Sequence, residues 1–212
     1  MADGDITDAL LVKLAARMED VDQRRFTAAA GWKLVALNEA QIQLATLLDK
    51  FYLSDFETSS SAVSLATGGV TFAGIASTGI LKGSDGIISA VFTISSTTRY
   101  PNRIDIRDRA EYDDTASFRK YSDLQPIYWV FGKVVYCKMT TYTGSTGIFN
   151  YLKIPADMTT DIDPVFSSDY HGLLLDIAEG KLWKIDREFE RSNAIFTNAY
   201  EQIKLLNDKL KG

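Results

Sequence analysis

The chain has 212 residues, 46% of them hydrophobic and 24% charged, with 28 Asp and Glu against 23 Lys and Arg. That balance excludes bulk disorder, and no run approaches the roughly 20 apolar residues that a bilayer-spanning helix requires. The formal net charge of −5 disfavours a protein that grips nucleic acid by neutralising phosphates, which takes clustered Lys and Arg.

The length fits a single domain over residues 1–212. The first five residues, Met1-Ala2-Asp3-Gly4-Asp5, are acidic where a signal peptide is basic, so a cytosolic protein is expected. Cys137 is the only cysteine, which rules out an internal disulfide or a cysteine-based zinc site in one subunit and predicts a buried thiol.

From Ile6 to Met18, apolar residues recur at three and four residue steps (Ile6, Leu10, Leu11, Leu14, Met18), predicting an amphipathic helix capped by Asp3 or Asp5. After a polar break at residues 20–25, Thr27 is the expected cap of a second helix of about six turns. It carries Trp32, Val35, Leu37, Ile42, Leu44, Ala45, Leu48 and Phe51. The two helices occupy residues 5–56.

Residues 57–126 change texture. Ser59-Ser60-Ser61, Gly68-Gly69 and Gly74, Gly79, Gly83 and Gly86 exclude helix, while Val70 to Phe72 and Ile87 to Ile94 read as strands. A β-hairpin or flexible loop is expected here, with Thr58 to Gly86 ordering against a partner. Residues 105–123 are densely charged without a clean period and read as an exposed connection. In 127–155, Ile127 to Phe131 and Val134 to Met139 flank Gly132-Lys133, a hairpin signature. A further strand, Ile148 to Ile154, ends at Pro155. Over 167–212, Ser167 or Ser168 is the expected cap of a helix bearing Leu173, Leu174, Ile177, Ala178, Leu182 and Trp183. A last helix runs from about Arg187 to Leu210. The expected fold is therefore α+β, mostly a helical bundle of two N-terminal and two C-terminal helices with a small antiparallel sheet or hairpin inserted.

No catalytic constellation emerges. His171 is the sole histidine, and with no Gly-x-Ser-x-Gly elbow a Ser-His-Asp site has no support. Gly144-Ser145-Thr146-Gly147 lacks the Gly-Lys-Ser/Thr ending of a phosphate loop and reads as a hairpin turn. Asp105, Asp108, Glu111, Asp113 and Asp114 are interleaved with Arg103, Arg107 and Arg109 and lack the spacing of a calcium loop. Asp161 and Asp163 precede Pro164 and read as a turn. The aromatics Tyr128, Trp129, Phe131, Tyr136, Tyr142, Phe149 and Tyr151 have only Lys133, Lys138 and Lys153 beside them, so packing and subunit contact explain them better than base stacking. No enzyme activity, metal or cofactor is expected.

Three segments, taken in order, carry a resemblance: Trp32 to Gln41, Phe131-Gly132-Lys133-Val134-Val135-Tyr136, and Tyr151 to Thr159 leading into Tyr170 to Asp176. The chain resembles the head-to-tail connector, or adaptor, proteins of tailed bacteriophages. The stretch from Thr58 to Gly86 is longer than that family's pattern. The resemblance implies a homo-oligomeric ring, typically of twelve copies, in the virion neck. Such a ring docks on the portal protein, passes the channel to downstream neck or tail proteins, and lets genomic DNA through without specific binding. It implies portal contact through the C-terminal helix, at Arg187, Phe196, Tyr200, Leu206, Lys209 and Lys211. Neighbour or tail contact falls to Ala62 to Ile94. It also implies a channel lining at Asp105, Asp108, Glu111, Asp113 and Asp114, whose like charge keeps the duplex from sticking. Two other readings stay open, a tail, baseplate or fibre-attachment subunit and a glycosidase using two carboxylates.

Overall fold

The computed structural model describes residues 5–20, 26, 31–114 and 116–210. The helices are α1 (Asp5–Arg17), α2 (Trp32–Leu47), α3 (Phe72–Ile75), α4 (Arg109–Asp113), α5 (His171–Ile185) and α6 (Phe189–Asp208). The strands are β1 (Glu57–Ser59), β2 (Val63–Ser64), β3 (Val70–Thr71), β4 (Ile87–Ile94), β5 (Thr97–Arg99), β6 (Asn102–Arg103), β7 (Ile127–Phe131), β8 (Val134–Lys138) and β9 (Thr146–Leu152). They form two compact units, one from Met1–Asp55 with Pro155–Gly212, the other Phe56–Ile154.

In the helical unit α5 is the centre. Its sequence HGLLLDIAEGKLWKI is apolar nearly all round, and Leu173, Leu174, Leu175, Ile177, Ala178, Leu182 and Trp183 are buried. A helix of that kind needs neighbours on several sides, and α1, α2 and α6 supply them. Gly180 lets α6 come close, since a Cβ there would lie 3.1 Å from the Phe196 ring, and the Ser192 hydroxyl donates to Gly180 O at 2.8 Å. Between α5 and α6, Arg187 takes a left-handed φ of 68°. Arg187 N–H donates to Lys184 O and Glu188 N–H to Trp183 O, the two bonds of a Schellman turn.

The first helix is held at both ends by distant residues. Asp163 Oδ1 accepts from Ile6 N–H at 3.0 Å and Thr7 N–H at 3.1 Å, satisfying donors that a helix start leaves free. At the other end Arg17 pairs with Asp176 and Glu179 of α5. The start of α2 is tied by Lys33, whose amine lies 2.8 Å from the buried Asp20 carboxylate. The expected caps Asp3 and Thr27 lie outside the described residues, and the N-cap of α2 is Gly31 at φ 60°. This helix stops at Leu47 because Leu48 turns extended, which leaves Phe51 in a short 3-10 turn rather than on the helix.

The Phe56–Ile154 unit corrects the expected fold. In place of a small hairpin inserted into a bundle, nine strands form two sheets among the described residues. One has the order β1-β9-β4-β5 with β2 also on β9, and the other the order β3-β8-β7-β6. The first is antiparallel throughout, and in the second β6 runs parallel to β7. Thr58 to Gly86, expected as a β-hairpin or flexible loop ordering against a partner, pairs within the chain: Thr58 opposite Tyr151, Val63 opposite Gly147, Val70 opposite Val135. These strands are two or three residues long, too short to show a period of two. They exist because longer strands offer them a ladder.

One core joins the two sheets. Ala90, Phe92 and Ile94 from β4 and Phe149 and Tyr151 from β9 meet Tyr128 from β7 and Val135 and Cys137 from β8. Phe92 sits edge-on to both Tyr128 and Phe149, with centroids 6.4 and 6.1 Å away. The second sheet is covered on its far face as well, where Ile127 and Trp129 pack with Ile104, Tyr112, Tyr121 and Tyr136. That double burial is why β7 reads as a continuous apolar run instead of an alternating one.

Candidate assembly surfaces

The charged segment 105–114 lies over the far face of the β3-β8-β7-β6 sheet. Tyr112 turns inward onto the Ile104, Ile127 and Trp129 cluster while the carboxylates turn outward. Most of those carboxylates are matched locally. Asp105 pairs with Arg107, accepting its backbone N–H at 2.9 Å and its guanidinium at 2.9 and 3.1 Å. The Arg107 guanidinium, helped by that N–H, holds the Asp105 carboxyl at about 2. Asp113 bridges Arg109, four residues before it, and Lys138 of β8. Burial pushes the Asp113 carboxyl up, but the Lys138 and Arg109 charges and hydrogen bonds outweigh it and the net shift is downward. Glu111 pairs with Arg119 at 3.2 Å. Asp114 accepts from Ala116 N–H at 2.9 Å, and Asp108 precedes α4 without a side-chain cap bond. The five residues that the resemblance assigned to a channel lining are thus brought onto one short surface segment. Asp108 and Asp114 are the two that make no ion pair to another described residue.

The residues assigned to portal contact sit on or beside α6, and several are already occupied by the bundle. Arg187 forms the turn, Phe196 covers Gly180 and stacks on Tyr200 at 5.9 Å, and Tyr200 Oη accepts from Gln43 Nε2 at 2.6 Å. Leu206 O accepts from Tyr52 Oη at 2.7 Å. The adjacent Asn207 binds Asp49 N–H and Leu47 O with its two side-chain ends. Lys209 is exposed at the end of the helix, and Lys211 lies outside the described residues.

Two apolar surfaces were not singled out by sequence reasoning. Along α2, Trp32, Val35 and Ile42 are 44%, 45% and 40% exposed. With Glu39 and Thr46 they form an outward stripe at alternating steps of three and four. In the β-rich unit, Phe118 is 94% exposed. The signal for Phe118 was present, a lone aromatic among polar and charged neighbours in Ser117-Phe118-Arg119-Lys120.

The remaining candidates have structural roles. His171 Nε2 lies 3.1 Å from Phe166 O and ties down the turn before α5. Ser167 and Ser168 do not cap that helix: Ser167 precedes a short 3-10 turn without a side-chain cap bond, and α5 starts at His171 behind Tyr170. Gly144 and Ser145 lead directly into β9, which takes in Thr146 and Gly147, with the Ser145 hydroxyl donating to Thr141 O. Burial pushes the Cys137 thiol up to about 11, so it stays protonated and inert near neutrality.

Among the described residues, no group of three or more His, Cys, Asp or Glu is arranged to hold a metal ion. None of the described helices is long and apolar enough to cross a membrane. No protein-family model matches the chain, and no curated protein matches it.

Proposed function

We propose that the chain is a structural ring subunit of a tailed-phage neck, a head-to-tail connector that joins the portal to downstream neck or tail proteins and leaves a channel for DNA. The observation that carries this reading is the outward apolar stripe of α2, on a helix whose opposite face is already satisfied by α5. Exposed apolar surface of this kind marks protein contacts. The order of elements along the chain agrees, with a helical pair, a β-rich middle and two closing helices. In this reading α6 stiffens the unit and offers its exposed end, including Lys209, to the portal. The 105–114 segment presents Asp108 and Asp114 to the channel, where like charge repels the duplex.

The test is native mass spectrometry of the purified chain, alone and mixed with the portal protein of the same genome. A ring, or a portal complex with copies matching the portal's symmetry, is the expected result. A monomer indifferent to portal would overturn it.

A further inference from the structure

Phe118 is held outward by a built turn. Ser117 Oγ accepts from Arg119 N–H and Ser117 O from Lys120 N–H, both at 3.1 Å. Arg119 reaches back to Glu111, and Tyr121, two residues on, donates its N–H to Tyr112 O and packs into the Ile104, Ile127 and Trp129 cluster. The backbone is therefore fixed before and after a phenyl ring that stays 94% exposed. A preorganised aromatic loses little entropy on docking, which is the property of an interface anchor. Two cations, Arg119 and Lys120, flank it, and Lys120 makes no ion pair to another described residue.

A complementary hollow lies on the same unit. A cleft of about 400 Å³ has Ile104, Ile106 and Val130 as its apolar wall and Asp85 and Asp105 as its acidic rim. Arg103 braces it, its guanidinium donating to Ile87 O at 2.6 Å and Ser84 O at 3.0 Å, so that cation is spent on the backbone. Asp85 is exposed and makes no ion pair to another described residue.

The geometry points to a knob-and-hole contact between copies of this chain, in which Phe118 of one copy enters the Ile104, Ile106 and Val130 cleft of the next and Lys120 meets Asp85. A symmetric pairing through the knob would set Lys120 against Lys120, so the charges select the head-to-tail arrangement. Such contacts repeat, and they close into a ring when the rotation allows. This inference rests on the ring-subunit reading and names one contact that would build the ring.

The experiment mixes two variants of the full chain, Ala116→Cys, which leaves the Phe118 knob in place, and Ser84→Cys, under mild oxidation, with and without portal protein. The buried Cys137 is common to both and is controlled by the unsubstituted chain. A disulfide-linked pair that appears only when both variants are present is expected. In parallel, Lys120→Glu should weaken self-association at least tenfold in sedimentation, and adding Asp85→Lys should restore it. Multimers that form without this cross-link, and that ignore Lys120→Glu, would overturn the contact and leave the ring reading standing. Cross-linking of Ala116→Cys to itself would also overturn it, in favour of a symmetric pair. A chain that stays monomeric with and without portal would sink both.

Discussion

Helices α2 and α6 pack on the same central helix, yet their backs differ. The outward side of α6 is mostly polar, carrying Glu190, Asn193, Thr197, Glu201, Lys204 and Asp208, with Phe189, Tyr200 and Leu205 as its exposed apolar residues. That of α2 carries Trp32, Val35 and Ile42 around Glu39 and Thr46. Contact with α5 explains both inner faces and, apart from the ion pair of Glu39 with Lys181 of α5, neither outer one. Water sets a polar back, and apolar groups kept at three and four residue steps on a second face belong to a helix that meets something on both sides.

Four changes break or sharpen this contrast. The largest effect falls on the anchor of α2. Asp20→Ala would leave the Lys33 amine mostly buried without its carboxylate, so urea denaturation should show a loss of about 3–5 kcal/mol. On the α6 side, Gly180→Val drives a side chain into the Phe196 ring and should cost about 1–3 kcal/mol, and an unchanged midpoint would mean that the seam is loose. The outer faces should separate stability from assembly. Val35→Ser with Ile42→Ser should change monomer stability by about 1 kcal/mol or less while weakening self-association, whereas Thr197→Ser with Glu201→Ser on α6 should alter neither. Equal effects of the two pairs on sedimentation would erase the distinction. The smallest is a gain: Arg187→Gly removes a side chain from a left-handed position and should raise stability by about 0.5 kcal/mol in the same denaturation assay.

Periodicity served the long elements well. The Ile6 to Met18 pattern became Asp5–Arg17, Ile87 to Ile94 became a strand with those bounds, and Gly132-Lys133 became the hairpin turn. The β-rich texture placed a strand at Val70 to Phe72, where β3 lies, but β1, β2, β5 and β6 were missed, because their existence depends on partners as far away as Tyr151 or Gly147. The division into two sheets was therefore invisible, and with it the fate of Tyr112 and Tyr121, which pack on the sheet of the Gly132-Lys133 hairpin instead of lying in an exposed connection. Part of the acidic segment was legible, because Arg107 and Arg109 stand within four residues of Asp105 and Asp113. The Lys138 partner was not, being 25 residues away on a different element. For α2, Trp32, Val35 and Ile42 merged with Leu37, Leu44 and Ala45 into one apolar pattern. A helix apolar on both faces gives no indication of which face lies inside.

The cap that Asp163 places on α1 also dictates an order of events during synthesis. The carboxylate follows Ile6 by 157 residues, roughly 8–30 s of translation at typical rates. Until then α1 lacks that cap, and α1 and α2 lack the α5 surface they cover, while every strand of the Phe56–Ile154 unit precedes residue 163 in the chain. Chains arrested before residue 163 should accordingly be cut by protease within 5–17. The helical unit is the part of this protein that closes last, and in the interval its unburied leucines are what a chaperone would see.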